Sequence, residues 1–354
     1  MRSRSATVAT LAVVTVLAAI LVIVNVLADE VTHGPITMPS PTATASASRG
    51  EREAARLATM APDEIAAEGV EARPPVAPPG ARDLADAAEE AARQQPFSFH
   101  VTTFNVLGSQ HSAEGGAASE FAAGTTRIGW AVELLAAYGS DIVGFSELQS
   151  DQYAVLAAAS PGFVFYPGTT LGQAGVPTNL MWRDDVWEAT WQSHVTIPFM
   201  DGTRPMPVVR LRHRETGRET YVMNVHNSPR DRQGREVERD RAEAIEIAAV
   251  NALAEDGVPI VLMGDFNEHA EVFCRVTAQT TLVAASGGSQ SGGSQAGGCR
   301  PPAVMRVDWI FGSRELEFDG FRIDTSPEVR RITDHAVLST TVIVPAPAPA
   351  ADRN

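Results

Sequence analysis

The sequence contains no lysine: all 28 basic residues are arginine, set against 43 aspartates and glutamates, for a formal net charge of −15. A protein whose work is to hold long polyanions carries a basic face. This composition excludes gripping such a partner by bulk charge, so a polyanionic substrate would need a counter-ion brought in locally. Aromatic residues are also scarce, at 6%. No stripe of arginines interleaved with aromatics suggests a stacking platform for single strands. Two cysteines and few histidines do not suit zinc, which favours thiolate and imidazole ligands. There is no internal repeat.

Residues 1–95 hold little that could form a core. Arg2 and Arg4 precede an apolar run from Ala6 to Ala28, long enough to cross a bilayer, and Asp29 and Glu30 follow it. Basic residues on the N-terminal side keep that end in the cytoplasm and export the rest. Residues 1–28 are therefore expected to be a signal anchor embedded in the membrane, with a signal peptide cleaved after Ala28 as the alternative. From 29 to 95 the chain is rich in Pro, Ala and Ser and reads as a disordered stalk. Glu51–Glu71 and Ala81–Arg93 have helical composition but read as solvated linker. Residues 345–354 form a second Pro/Ala spacer. The folded part is 96–344, one domain of ordinary size, extracytoplasmic and expected to be a monomer with no protein partner. Cys274 and Cys299 flank a Gly/Ser-rich insert, Ser286–Gly298. An even count outside the cytoplasm argues for a bridge across that loop, worth about 3 kcal/mol. Two unrelated buried thiols are the alternative.

Within the domain, the most informative stretch runs from Val261 to His269. Pro259 to Met263 reads as a buried strand that Gly264 ends in a sharp turn. Asp265 and Asn267 lie two apart, so on a pleated backbone both would project from the strand end on one face, with Phe266 pointing away. An Asx turn is the bland reading of that pair. Other strands end in the same way. Phe97–Phe104 runs into Asn105, Asp141–Ser146 into Glu147, and Thr220–Val225 into His226. Val304–Phe311 carries Asp308 near its middle, and Asp334 and His335 precede a final strand. Asn179–Trp182, Val186–Ile197 and Val208–Arg212 read as further strands. Thr125–Tyr138, Asp151–Ala159 and Arg235–Asp256 have helical spacing. Strands outnumber helices, which suggests a two-sheet α/β sandwich with helices packed outside. Eight polar residues at strand ends suit a hard divalent cation (Mg²⁺, Mn²⁺ or Ca²⁺) together with a phosphate.

These pieces resemble the endonuclease/exonuclease/phosphatase superfamily. The motifs are Thr103-Phe104-Asn105-Val106, Ser146-Glu147-Leu148-Gln149, Asn224-Val225-His226-Asn227-Ser228-Pro229, Gly264-Asp265-Phe266-Asn267, Val307-Asp308-Trp309-Ile310-Phe311 and Thr333-Asp334-His335. The resemblance implies a deoxyribonuclease I-like four-layer α/β/β/α sandwich, two packed mixed sheets with outer helices. It implies that Glu147 is the main carboxylate ligand of the cation, with Asn105 beside it and Asp334 assisting. Asp265 would activate water and Asn267 orient it. His335, held by Asp308, would face the scissile phosphate, and His226 would be either a general acid or a phosphate donor. Arg204 would contact substrate phosphate. The Gly175–Asn179 segment lacks the acid that the deoxyribonuclease branch places before its middle strand.

Three functions follow in order. The first is an exported, metal-dependent phosphodiesterase acting on DNA or RNA. The second is a lipid or small-molecule phosphodiesterase or phosphatase of the same superfamily. The third is an inactive binding module. His269 reads as a turn residue, and His100, His111, His194 and His213 have no partner readable from the sequence. The Arg230–Arg241 run reads as a charged helix face.

Overall fold

Along β1 (Phe97–Asn105) the side chains alternate between two apolar environments, and that alternation builds the layers. Phe99 and Val101 enter the core between two sheets, whereas Phe104 lies under the helices Gly124–Tyr138 and Ser150–Ala159 on the opposite face. The structure is a computed structural model that describes residues 81–230, 235–291 and 298–347. The apolar segment 6–28, most of the stalk and the end of the tail lie outside the described residues, as do the readings of anchoring that depend on them. No helix among the described residues is long and apolar enough to cross a membrane.

The remaining strands are β2 (Ile142–Ser146), β3 (Phe163–Tyr166), β4 (Asn179–Arg183), β5 (Trp187–Phe199), β6 (Gly202–His213), β7 (Glu219–His226), β8 (Ile260–Asp265), β9 (Leu282–Ala284), β10 (Ser289–Gln290), β11 (Cys299–Arg300), β12 (Asp308–Ser313), β13 (Glu317–Asp324) and β14 (Val337–Val344). One sheet has the order β13-β14-β1-β2-β4-β3 and the other β5-β6-β7-β8-β12-β9. Each contains one parallel pair, β1 with β2 and β7 with β8. Parallel neighbours need a crossover, and here each crossover carries a helix, Gly124–Tyr138 or Glu236–Ala254, on the outer face of its sheet. The architecture is the expected four-layer α/β sandwich.

Details differ from the sequence reading. Ala81–Arg93 is helical rather than linker. Asp308 is the first residue of β12, not near its middle, because the preceding residues 301–307 form loop. The last strand starts at Val337, two residues after His335. Strands β5 and β6 continue to Phe199 and from Gly202 in one long hairpin, turning through Met200 and Asp201 at φ 47° and 64°. Met200 gives no sign of such a turn, whereas Asp201 followed by Gly202 is a hairpin signal that the strand reading passed over. Cys274 and Cys299 form the expected disulfide, with Cα atoms 5.6 Å apart.

The two sheets meet closely at one polar clasp. Asn224 of β7 is fully buried and donates through Nδ2 to Phe145 O at 2.8 Å and Asn179 O at 3.2 Å in the other sheet. Gly144 makes room for it: a Cβ there would lie 2.3 Å from Asn224 Oδ1. The period of two also aims the strand ends. Val222, Val261, Met263 and Ile310 face the inter-sheet core. His226, Asp265 and Asp308 continue those rows, and Asn105 continues the row of Phe99 and Val101. Polar groups from both sheets therefore converge at one end of the sandwich.

Candidate active site

The site is built around the end of β8. Gly264 does not end the strand in a turn but is paired within β8; it has φ 140°, and a Cβ there would sit 2.0 Å from Val225 O on the neighbouring parallel strand, so the close approach requires glycine. Asp265 follows, 1% exposed, in register with His226 on one side and Asp308 on the other. Asn267 does not extend the pleat beside it. Its backbone is left-handed (φ 53°), its N–H donates to Asp265 Oδ1 at 2.9 Å, and its Nδ2 donates to Asn227 O at 2.9 Å. The Asx turn and the site are thus one feature.

Asn105 crosses from the other sheet. Its Nδ2 lies 3.0 Å from Asp265 Oδ2, 3.1 Å from Glu147 Oε1 and 3.4 Å from His335 Nε2, while its Oδ1 accepts the Leu107 N–H at 3.0 Å. Glu147 leaves β2 with φ 61° and takes a further bond from Gly108 N–H at 3.1 Å. His335 Nδ1 bonds Asp308 Oδ2 at 2.8 Å, and its Nε2 lies 3.8 Å from Asp265 Oδ2. Asn105 O accepts the Thr333 hydroxyl, whose oxygen accepts the His335 N–H, tying the two approaches together. Arg127, fully buried, secures the same segments. Its five N–H groups donate to the carbonyls of Ala122, Val106, Ile332 and Leu107 and to Ser112 Oγ.

The β5–β6 hairpin supplies another wall. Arg204 stacks 3.5 Å over the Phe199 ring and donates from Nη1 to His226 Nδ1 at 3.1 Å. Because a guanidinium can only donate, His226 accepts at Nδ1 and carries its proton on Nε2, which points at Asp265 Oδ2 from 3.6 Å. The hairpin tip is pinned by Glu238, which accepts Met200 N–H at 3.0 Å and Asp201 N–H at 2.9 Å.

Residues 102–335 match the Endonuclease/Exonuclease/phosphatase family. The chain belongs to this family. Family members are generally hydrolases of phosphoester bonds and typically use divalent metals. No curated protein matches the sequence. Among solved structures, a mannosyl-6-phosphatase from Bacteroides thetaiotaomicron is similar over 69% of this chain and 99% of its own, at 16% identity and TM-score 0.54. Danio rerio TDP2 complexed with a single-strand DNA product is similar over 69% and 98%, at 16% and 0.53. The human Nocturnin catalytic domain with a bound sulfate covers 71% and 98%, at 18% and 0.52. At these identities the likeness carries the fold.

The family's need for a cation is matched by a compact donor set. One ligand atom each from Asp265, Asp308 and His335 lies within 4.8 Å of the others. Asp308 Oδ1 is buried without a partner among the described residues, as expected for an oxygen kept for something else. The oxygens of Asp265 and Asp308, with Glu147 bridged through Asn105, suit a divalent ion, whereas a protonated His335 offers it no lone pair. The protonation pattern is polarised. Burial beside Asp308 pushes Asp265 up to about 7. Burial, reinforced by Arg204, pushes His226 down to about 3, so it is neutral at ordinary pH. Burial opposes the charge on His335, but the carboxylates of Asp308 and Asp265 outweigh it and hold the imidazole well above its usual value. Burial would raise Glu147 too, yet hydrogen bonds led by His111 keep it well below the carboxylate range.

Six of the residues singled out from the sequence, Asn105, Glu147, His226, Asp265, Asp308 and His335, form one contact cluster at the end of the sandwich. Arg204 and Asn267 join it through His226 and Asp265. Asp334 is exposed at the rim, lining a depression of about 350 Å³ together with Asp308, His335, Arg306, Arg330 and His269. Three contributors have no signal in the family motifs. His111 Nε2 lies 3.3 Å from Glu147 Oε2. Arg127 is the second. Arg239, inside the run read as a charged face, is 2% exposed and pairs with buried Glu268 beneath the Asp265–Asn267 turn.

Proposed function

We propose that this chain is an exported, divalent-metal-dependent phosphodiesterase, with nucleic acid as its leading substrate. The observation that carries the reading is the convergence of Asp308–His335, Asp265, Asn105 and Glu147 within hydrogen-bonding reach of one another at one end of the sandwich. Phosphodiester hydrolysis asks a protein for positioning and charge compensation rather than covalent work. A cation held by the carboxylates would offset charge growing on the phosphoryl oxygens. Asp265, poised near neutrality, would take the proton of the attacking water. His335, oriented and kept protonated by Asp308, would donate to the phosphate and then to the departing oxygen. His226, neutral with its proton on Nε2, suits a hydrogen-bond donor better than a general acid. Asn267 would act by fixing Asp265, and Asp334 by steering the ion from the rim. The disulfide supports export, since such bonds persist in oxidising compartments.

The acidic balance, −15 with no basic stripe, favours a second reading in which the substrate is a lipid or small phosphoester. Plasmid nicking and release of phosphate or choline phosphate from small esters and lipids, each with and without EDTA, separate the two. Inertness on every substrate together with no bound metal would overturn both.

A further inference from the structure

We propose that His111 is a nitrogen ligand to the same cation as Glu147, giving the site a preference for a borderline transition ion such as Mn²⁺ over Mg²⁺. The inference rests on the metal reading above and names a residue outside the family motifs.

Three observations carry it. The first is spacing. His111 Nε2 and Glu147 Oε2 are 3.3 Å apart. A hydrogen bond from an imidazolium to a carboxylate is usually about 2.7–2.9 Å. Two donor atoms held about 2.1 Å from one ion in adjacent octahedral positions are separated by about 3 Å, the bond length multiplied by the square root of two. The pair is therefore a long hydrogen bond whose span is also close to that of two neighbouring ligands.

The second is that the backbone carrying the imidazole is fixed. His111 N–H donates to Gly108 O at 3.0 Å, and His111 O accepts Ala118 N–H at 2.9 Å. Ser109, two residues before it, is fixed through N–H to Gln152 Oε1 at 3.1 Å and through Oγ to Asp151 Oδ2 at 2.7 Å. Gly116 leaves room for the fold of this segment, since a Cβ there would lie 2.2 Å from His111 O. Glu147 is fixed independently by Asn105 Nδ2 and Gly108 N–H. The Glu147 carboxylate and the backbone that carries His111 are thus positioned before any ion arrives.

The third is access. The His111 side chain is 39% exposed and that of Glu147 21%. Room remains for water and a phosphate oxygen to complete the coordination, as in sites that bind an ion through few protein groups. An all-oxygen site suits Mg²⁺, which gives up its waters reluctantly, whereas an imidazole nitrogen raises the affinity of first-row transition ions.

The test uses the full chain stripped of metal and titrated with Mn²⁺ while free Mn²⁺ is read by electron paramagnetic resonance, with Mg²⁺ measured by competition. Wild type should bind Mn²⁺ at least tenfold more tightly than Mg²⁺. His111→Gln should lose tenfold or more in Mn²⁺ affinity while Mg²⁺ affinity changes less than threefold. Pulsed resonance should show ¹⁴N modulation on bound Mn²⁺ in wild type and lose a nitrogen in His111→Gln. Melting curves in EDTA should match, establishing that the variant folds. Equal losses for both ions, an unchanged Mn²⁺ affinity, or identical ¹⁴N modulation in the variant would each overturn the assignment of His111 and leave the metal reading standing. Failure of wild type to bind either ion would overturn both.

Discussion

Replacing Glu246 by Gln should remove much of the protein's loss of stability in mildly alkaline solution. Glu246 lies on the inner side of the helix Glu236–Ala254 and is 1% exposed. Its Oε2 accepts Asn227 Nδ2 at 3.4 Å, while its Oε1 and Asn227 Oδ1 are both buried without partners among the described residues. A protonated carboxyl can give its hydrogen to Asn227 Oδ1, and an ionised one cannot. Burial, with the Glu243 charge adding to it, pushes Glu246 up to about 8 from its ordinary 4.5. The folded state therefore holds a proton that the unfolded chain releases near pH 4.5. The stabilisation is complete below that value and is lost as pH rises through about 8. The slope is about 1.4 kcal/mol per pH unit between those limits, so about 2 kcal/mol disappears between pH 6 and 8. At about 2–4 °C per kcal/mol for a domain of this size, that is a fall in Tm of about 4–8 °C. Gln can accept from Asn227 Nδ2 and offer an N–H to Asn227 Oδ1 without ionising. The assay is thermal melting of both proteins in EDTA across pH 5–9. Glu243, raised to about 7 by burial, contributes its own slope to both curves. The difference between them should open only above pH 5 and level off near pH 8; parallel curves would refute the reasoning.

Asp308→Asn should leave the melting curve nearly unchanged and lower kcat by about 10²–10⁴, because His335 loses its orienting charge; a kcat within threefold of wild type would remove the dyad from the chemistry. Gly144→Ala should destabilise by about 1–3 kcal/mol in urea unfolding, since the new methyl meets Asn224 Oδ1. Adding Asn224→Ala should recover part of that loss, and simple additivity would show that the clash is not the cause.

Much of this arrangement was legible because β-structure has the shortest possible period. Once Phe99, Val101, Val261, Met263 and Ile310 are assigned to the core, the facing of Asn105, Asp265 and Asp308 follows from counting by two. Other parts depended on contacts that no local pattern encodes. His111 lies on a four-residue helix with no apolar rhythm, and its partner Glu147 is 36 residues away. Arg239 looked solvent-facing among its charged neighbours, but Glu268 from a distant turn draws it inward. Met200 adopts left-handed angles that its side chain disfavours, held by Glu238 from the following helix. Asn267 misled for a related reason: the pleat ends at Asp265, so the period of two no longer applied.

Arg127 gives the missing lysine a meaning. Every one of its N–H groups has an oxygen to meet, so one flat cation rivets the chain just beyond Asn105 to the chain just before His335. A tapered ammonium has three hydrogens on a single atom and could not span those oxygens at once. Among the described residues the charge meets no carboxylate directly, so it stands as a positive footing near Glu147 and Asp334, present whether or not an ion has been captured above.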